Sequence, residues 1–255
     1  MRTAAARSLV VLFLVFSLLG STFPQPVVAK PPTAPLSAPS TPDAFGYTWE
    51  KITNAYPSTD PSVGLTRLWP NATETTTVNF AFTGPAFPFY ENAYTGITVC
   101  TQAGIILPGE NRSCPTDYSF DGVYPLGQKT NDANVIATFG KFSNPPTPNY
   151  LYGVFAGYEP AQSRYVVLWQ DKNDVGFQLV LNHIVYLYLN GNIEIHYQFP
   201  STFANRVSHA IGLEHRSDQF SLIADMQFQV YDDPLPTDAA FRFNRPAAAP
   251  RLLLF

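Results

Sequence analysis

A chain of 255 residues with a formal net charge of −4, 13% charged and 15% aromatic side chains is too apolar to stay disordered and long enough for one sizeable core. Its 15 Lys and Arg are scattered singly, which leaves no clustered phosphate-binding surface and excludes nucleic acid as a partner. Few charges and many rings fit a densely packed, strand-rich extracellular protein.

At the N-terminus, Arg2 and Arg7 precede an apolar run over residues 9–19. The run is too short to span a bilayer at roughly 20 residues and has the length of a signal-peptide core. Small residues at Val27 and Ala29 predict cleavage after Ala29, so residues 1–29 are read as a signal peptide and the mature protein as secreted, extracellular or at the cell surface. Contact with the membrane is then expected only through this segment while it is uncleaved. Residues 30–42 are rich in Pro, Ala, Ser and Thr, cannot form a packed core, and read as a semi-extended linker.

Folded sequence is expected over residues 43–243. Phe45, Tyr47 and Trp49 alternate as on a strand with one buried face, and Val78, Phe80 and Phe82 repeat that pattern within 75–82. Further strands are expected at 97–100, 104–107, 135–139, 150–155, 165–170, 209–213, 226–231 and 241–243. No run of ten or more shows helical periodicity. Many short strands separated by Gly, Pro, Asn and Asp mean an all-β fold, an antiparallel β-sandwich with jelly-roll-like character.

The clearest stretch is FQLVLNHIVYLYLNGNIEIHY, residues 177–197, a hairpin with turn chemistry at Asn190-Gly191-Asn192. A three-residue loop over 190–192 would pair Leu189 with Ile193, Leu187 with Ile195 and Val185 with Tyr197, with Asn192 in the left-handed conformation. Tyr186, Tyr188, Glu194 and His196 then share the opposite face. These four are the candidate ligand-binding residues, since phenols, a carboxylate and an imidazole offer apolar area beside oriented hydrogen bonds. Exposure decides their role: roofed by a loop or second sheet they are structural, and open to solvent they form a platform.

Residues 107–134 turn polar and rich in Gly and Pro, a long surface excursion. Cys100 and Cys114 bracket its first part, and two cysteines in an exported chain most simply form one disulfide. A loop of about 15 residues closed this way stabilises by on the order of 3 kcal/mol. The alternative is a metal held with Asp117 and Asp121, in a spacing that matches no zinc motif. Residues 244–255 are read as a C-terminal tail, and Leu252 to Phe255 are too few to span a membrane.

DAFGYTW, AFPFYENAYTGITVCTQAGIIL, RYVVLWQD, GFQLVL, LNGNIEIHYQF and SHAIGLEH together resemble the nidogen-like β-sandwich module of secreted bacterial proteins, over roughly residues 43–243. The chain departs from that pattern at Gln102-Ala103-Gly104, where an Asn-Gly turn is usual, and at residues 137–142, where a Trp with acidic residues is usual. The resemblance implies an extracellular, non-catalytic module for adhesion, matrix contact or spacing.

Catalytic signatures do not intrude on that expectation. The sequence has no Gly-x-Ser-x-Gly elbow, no HExxH and no Gly-rich phosphate loop. His183, His196, His209 and His215 have no metal-binding spacing, so neither metal nor cofactor is expected. Asp171 to Gly176 begins like a calcium loop and then fails at the fifth and twelfth positions, where Val175 and Asn182 stand; a turn between strands explains it. Glu194 and Glu214 are the strand-borne acids a glycosidase would draw on, and neither has an acidic partner on its own strand face. Asn71 and Asn111 head glycosylation sequons that, in a bacterial protein, are chance matches. The expected function is thus extracellular binding, adhesion or structural spacing with an extracellular protein or glycan as partner; the alternatives are a carbohydrate-binding module and a secreted glycoside hydrolase.

Mass spectrometry of secreted material tests the processing scheme. The mature chain is expected to start at Lys30, and non-reducing peptide mapping to link Cys100 to Cys114. Retention of residues 1–29, or two alkylated thiols, would overturn the respective assignment.

Overall fold

The computed structural model describes residues 39–69, 77–100, 104–107, 134–138, 153–173, 180–198, 209–215, 221–227 and 239–247. Residues 1–38, Asn71, Asn111, Cys114 and residues 248–255 lie outside the described residues, and with them the signal segment, most of the linker, both sequons, the partner of the expected disulfide and most of the tail.

Two antiparallel sheets pack face to face as an all-β sandwich. The first has seven strands, in the order β1 (Thr48–Thr53), β15 (Ala239–Asn244), β12 (Ile193–Gln198), β11 (Val180–Tyr188), β10 (Arg164–Asn173), β9 (Gly153–Glu159) and β2 (Thr66–Trp69). The second has six, in the order β14 (Ser221–Gln227), β13 (His209–Glu214), β8 (Val135–Ala137), β7 (Gly104–Ile106), β6 (Gly96–Cys100) and β3 (Thr77–Ala81). A two-stranded ribbon, β4 (Phe87–Phe89) with β5 (Asn92–Tyr94), is a third, separate sheet whose Phe87, Phe89 and Tyr94 join the core. The single helical turn among the described residues, Pro160–Gln162, joins β9 to β10.

The core lies between the sheets. Val185, Leu187, Ile193, Ile195, Tyr165, Val167, Trp169, Phe241 and Phe243 from the first meet Ile97, Val99, Ile105, Ile136, Ile211 and Leu213 from the second. Period-2 alternation supplies this face on nearly every strand, as the sequence pattern demands. Trp169 also donates from Nε1 to the Cys100 carbonyl at 2.9 Å, tying the sheets by a buried polar contact. The seven-stranded sheet buries its outer face as well. Val166, Leu168, Ile184 and Tyr186 form a second apolar cluster there, with Tyr56, Leu65 and Phe155 packed on it.

Several expectations shift. The first strand starts at Thr48, not at Phe45, because Asp43 Oδ1 accepts from the backbone N–H groups of Phe45, Gly46 and Tyr47 at 3.0, 2.7 and 2.8 Å and holds those residues in a turn. β10 runs on through Asp171 to Asn173 past a register irregularity after Trp169, with Lys172 and Asn173 paired to β11, so the turn expected over Asp171 to Gly176 does not include its first three residues; residues 174–179 lie outside the described residues. β14 begins at Ser221, five residues before the expected start. β2, β4 and β5 were not expected: β2 shows no alternation, and Pro88 within β4 lacks the N–H that a central strand needs.

The hairpin register differs by two residues from the expected one. Leu187 pairs with Ile193 and Val185 with Ile195. The loop is Leu189-Asn190-Gly191: Gly191 N–H donates to the Tyr188 carbonyl at 2.8 Å and Tyr188 N–H to the Asn192 carbonyl at 2.9 Å. Gly191, at φ +89°, takes the left-handed position assigned above to Asn192. This is a type I turn followed by a glycine bulge, which glycine satisfies at lower steric cost than asparagine. A shift of two leaves every side chain on its expected face.

A Cβ on Gly191 would run into Arg245 Cδ and lie 3.0 Å from the Pro88 carbonyl oxygen, besides straining the backbone. Gly191→Ala is therefore expected to destabilise the domain by on the order of 2 kcal/mol, read as a lowered thermal midpoint in circular dichroism. An unchanged midpoint would show that this turn does not anchor the fold.

Candidate functional site

The register of the seven-stranded sheet lays one row of side chains across its outer face. Glu50 on β1 stands opposite Arg242 on β15, Arg242 opposite Glu194 on β12, and Glu194 opposite Tyr186 on β11. Two residues along β11 on the same face, Tyr188 stands opposite Arg164 on β10, and Arg164 opposite Glu159 on β9. Cross-strand neighbours of opposite charge are thus built in by pairing alone.

The contacts close into one network. Arg242 donates to Glu194 Oε1 from Nε at 2.8 Å and reaches Glu50 Oε1 from Nη1 at 3.3 Å. Asn244 Nδ2 donates to that same Glu50 oxygen at 3.1 Å. The second oxygen of Glu194 accepts from the Tyr188 hydroxyl and from His196 Nε2, each at 3.1 Å. Arg164 donates to the Tyr188 hydroxyl at 3.2 Å and to Glu159 Oε2 at 2.7 Å, while its guanidinium lies 3.6 Å over the Tyr186 ring.

His196 is fixed by its other nitrogen. The Ala55 N–H donates to Nδ1 at 3.1 Å, so Nδ1 is an acceptor and the proton sits on Nε2, where it is given to Glu194. Ala55 belongs to the connection from β1 to β2, residues 54–65. Those strands are opposite edges of the sheet, six inter-strand steps or about 29 Å apart. Twelve residues reach about 40 Å when extended, so the connection crosses the outer face as a strap. Asn54 bonds the Tyr197 carbonyl at one end, Tyr56 and Leu65 pack on the second apolar cluster, and Gly157 on β9 is small enough to admit Leu65.

The strap settles where the expected residues stand. All four share a face, as the alternation implied, and they contact one another. Tyr186 and Glu194 are 6% exposed and His196 is 1% exposed, whereas Tyr188 is half-buried. Roofed in this way, they form a closed polar network, and an open four-residue platform is not what the face presents. Burial pushes the Tyr186 phenol up to about 12 and raises Tyr188 as well. Burial alone would also raise the Glu194 carboxyl, but the hydrogen bonds and charge of His196 and Arg242 outweigh it and hold the group at about 2.

Chemically, the arrangement is committed. Glu50 and Glu194 both bond the Arg242 guanidinium, which stands between them where a glycosidic bond would have to lie. Glu214 is buried on β13 of the other sheet. His183 is buried in the core, stacked at 4.4 Å on Trp169 with Thr138 Oγ1 at 3.2 Å from Nε2, and His215 meets both oxygens of Glu91 at 3.0 Å. The His209 side chain lies outside the described residues. Among the described residues no three His, Cys, Asp or Glu side chains are grouped to hold a metal ion.

Glu50, Glu159, Arg164 and Arg242 were not among the expected site residues. Arg242 was within reach, since it alternates with Phe241 and Phe243 and so had to face away from the core. Glu50 lies at the far end of the chain, and nothing local announces that it meets residue 194.

No protein-family model matches the chain, and neither curated proteins nor solved structures give a match.

Because the Glu194 carboxyl is held below its ordinary 4.5, its contribution to stability is present above about pH 4.5 and is lost as pH falls towards 2. Glu194→Gln is expected to lower the unfolding midpoint at pH 7 and to flatten its fall between pH 5 and 2. Parallel pH profiles for the two proteins would refute that contribution.

Proposed function

We propose that this chain is a secreted, non-catalytic β-sandwich module that binds an extracellular protein or glycan, or spaces such a contact, at the end of its Pro-rich linker. One observation carries the reading: the acids and bases that converge on the sheet are spent on each other. Hydrolysis of a glycoside needs two carboxylates facing a substrate, and the Glu50 and Glu194 pair faces Arg242 instead. Burial of most of this network in a sheet supports a structural role for it, with Tyr188 and Glu159 among the members that solvent reaches.

Where the chain enters and leaves the domain supports a tethered module. Pro246 packs against Gly46, whose Cβ would lie 3.1 Å from it, and Arg245 places its guanidinium 5.8 Å from the Phe45 ring centroid and bonds the Tyr90 carbonyl at 2.6 Å. The first and last described residues of the domain therefore lie side by side. The nidogen-like pattern of the strands points the same way.

A glycan and matrix-protein array probed with the secreted protein is expected to show retention on at least one ligand class without release of product. Time-dependent release of reducing sugar that Glu194→Gln abolishes would replace this reading with the hydrolase.

A further inference from the structure

We propose that residues 54–65 are a pH-released strap: protonation of His196 unlatches the strap and bares the aromatic outer face of the seven-stranded sheet. The latch is the Ala55 N–H bond to Nδ1. An imidazolium carries a proton on that nitrogen, so the acceptor becomes a donor and two N–H groups then point at each other. The bond is lost, and with it the contact by which β12 holds the start of the strap.

The surroundings favour the proton once the strap lets go. On β12, Glu194 accepts from Nε2 and stays ionised well below neutral pH. From β11, Tyr186 packs edge-on at 5.5 Å and Tyr188 shares the Glu194 oxygen. Arg164 on β10 lies behind those two rings, and Arg242 on β15 and Glu50 on β1 lie beyond Glu194. Tyr56 comes from the strap itself. Among the described residues, three carboxylates, counting Glu159, stand against two guanidinium groups here, so the network they form is acidic by one charge and favours an added positive one. The proton therefore prefers the open form, and linkage requires that lowering the pH populates it.

What opening uncovers is specific. Tyr56 follows the latch directly, and lifting it exposes Tyr186, Ile184, Val166, Leu168 and Phe155, an apolar and aromatic surface with the Arg164 cation on it. The strap is held at its ends, while Ser58, Thr59, Asp60 and Val63 between them are exposed, so a local opening does not require the sandwich to come apart.

Hydrogen exchange of the full secreted protein, corrected for the intrinsic pH dependence of exchange, tests the device between about pH 8 and 5. Opening over residues 54–65 is expected to rise by up to about tenfold per pH unit, with amides of β10 and β11 unchanged. In His196→Asn, whose side-chain oxygen retains an acceptor for Ala55 without titrating, strap exchange is expected to be flat with pH. A flat wild type, a pH response retained in the variant, or a rise spread over the whole domain would overturn the latch. Should the variant fail to fold, imidazole nitrogen shifts of the wild type decide: Nδ1 is expected to be unprotonated at pH 8 and to titrate together with the Ala55 amide, and independent titrations would overturn the proposal.

Discussion

The outer face of this sandwich depends on Arg242 standing between Glu50 and Glu194. Taking three charges out of bulk water costs several kcal/mol per ion, and only a paired, hydrogen-bonded arrangement offsets that. The pairing in turn demands one register. A one-residue slip of β15 would turn Phe241 and Phe243 out of the core and drive Arg242 into it, so the apolar face and the ionic row specify the same alignment. The residues joined are far apart in the chain: Glu50 and Arg242 are 192 positions apart. The row forms only when the first and last strands have met beside the central hairpin, a non-local closure typical of slow-forming β folds.

That closure creates the need for the strap. With β1 and β2 at opposite edges, the chain has to cross the sheet, and it crosses on the face that carries the ionic row. A crossing segment brings backbone N–H groups over buried side chains, where each must find an acceptor. His196 supplies one to Ala55, and the Tyr197 carbonyl accepts from Asn54. The same geometry explains why Val166, Leu168 and Ile184 are apolar on a face that would otherwise be wet: they lie under Tyr56 and Leu65.

Much of the fold was legible because alternation is a local signal. The two faces of the hairpin could be read from residues 177–197 even with the register misplaced by two, since a shift of two preserves faces. The company of Tyr186, Tyr188, Glu194 and His196 was legible for the same reason. Their burial was not, because NAYPSTDPSVGL, the sequence of the strap, has no period and offers Tyr56 and Leu65 as isolated apolar residues. Tyr90 marks a similar limit. It sits at φ +48° in the first position of a two-residue hairpin loop, where glycine would be the usual choice. Only its packing against Phe45, Tyr47, Phe89 and His215, with ring centroids 4.6 to 5.3 Å away, explains why a bulky residue is kept there. Such strain, about 1–3 kcal/mol, is imposed by tertiary structure and leaves no trace in the local sequence.

Local stability, finally, is unevenly distributed between the two faces. The inner face is interlocked rings and branched side chains from both sheets, and loosening any part of it exposes the rest. Among the described residues, the outer face is covered by one segment with Tyr56 and Leu65 as apolar anchors, and ordering each of its residues costs about 1–2 kcal/mol of backbone entropy. Such a cover stands near balance, so a single bond at its hinge weighs far more there than the same bond would in the core. Placing a titratable acceptor at that hinge, directly after Thr53 at the end of β1, couples proton uptake to the part of the molecule that opens at least cost. The Arg242 row beneath stays paired in either state, because its partners lie on strands that the strap does not hold together.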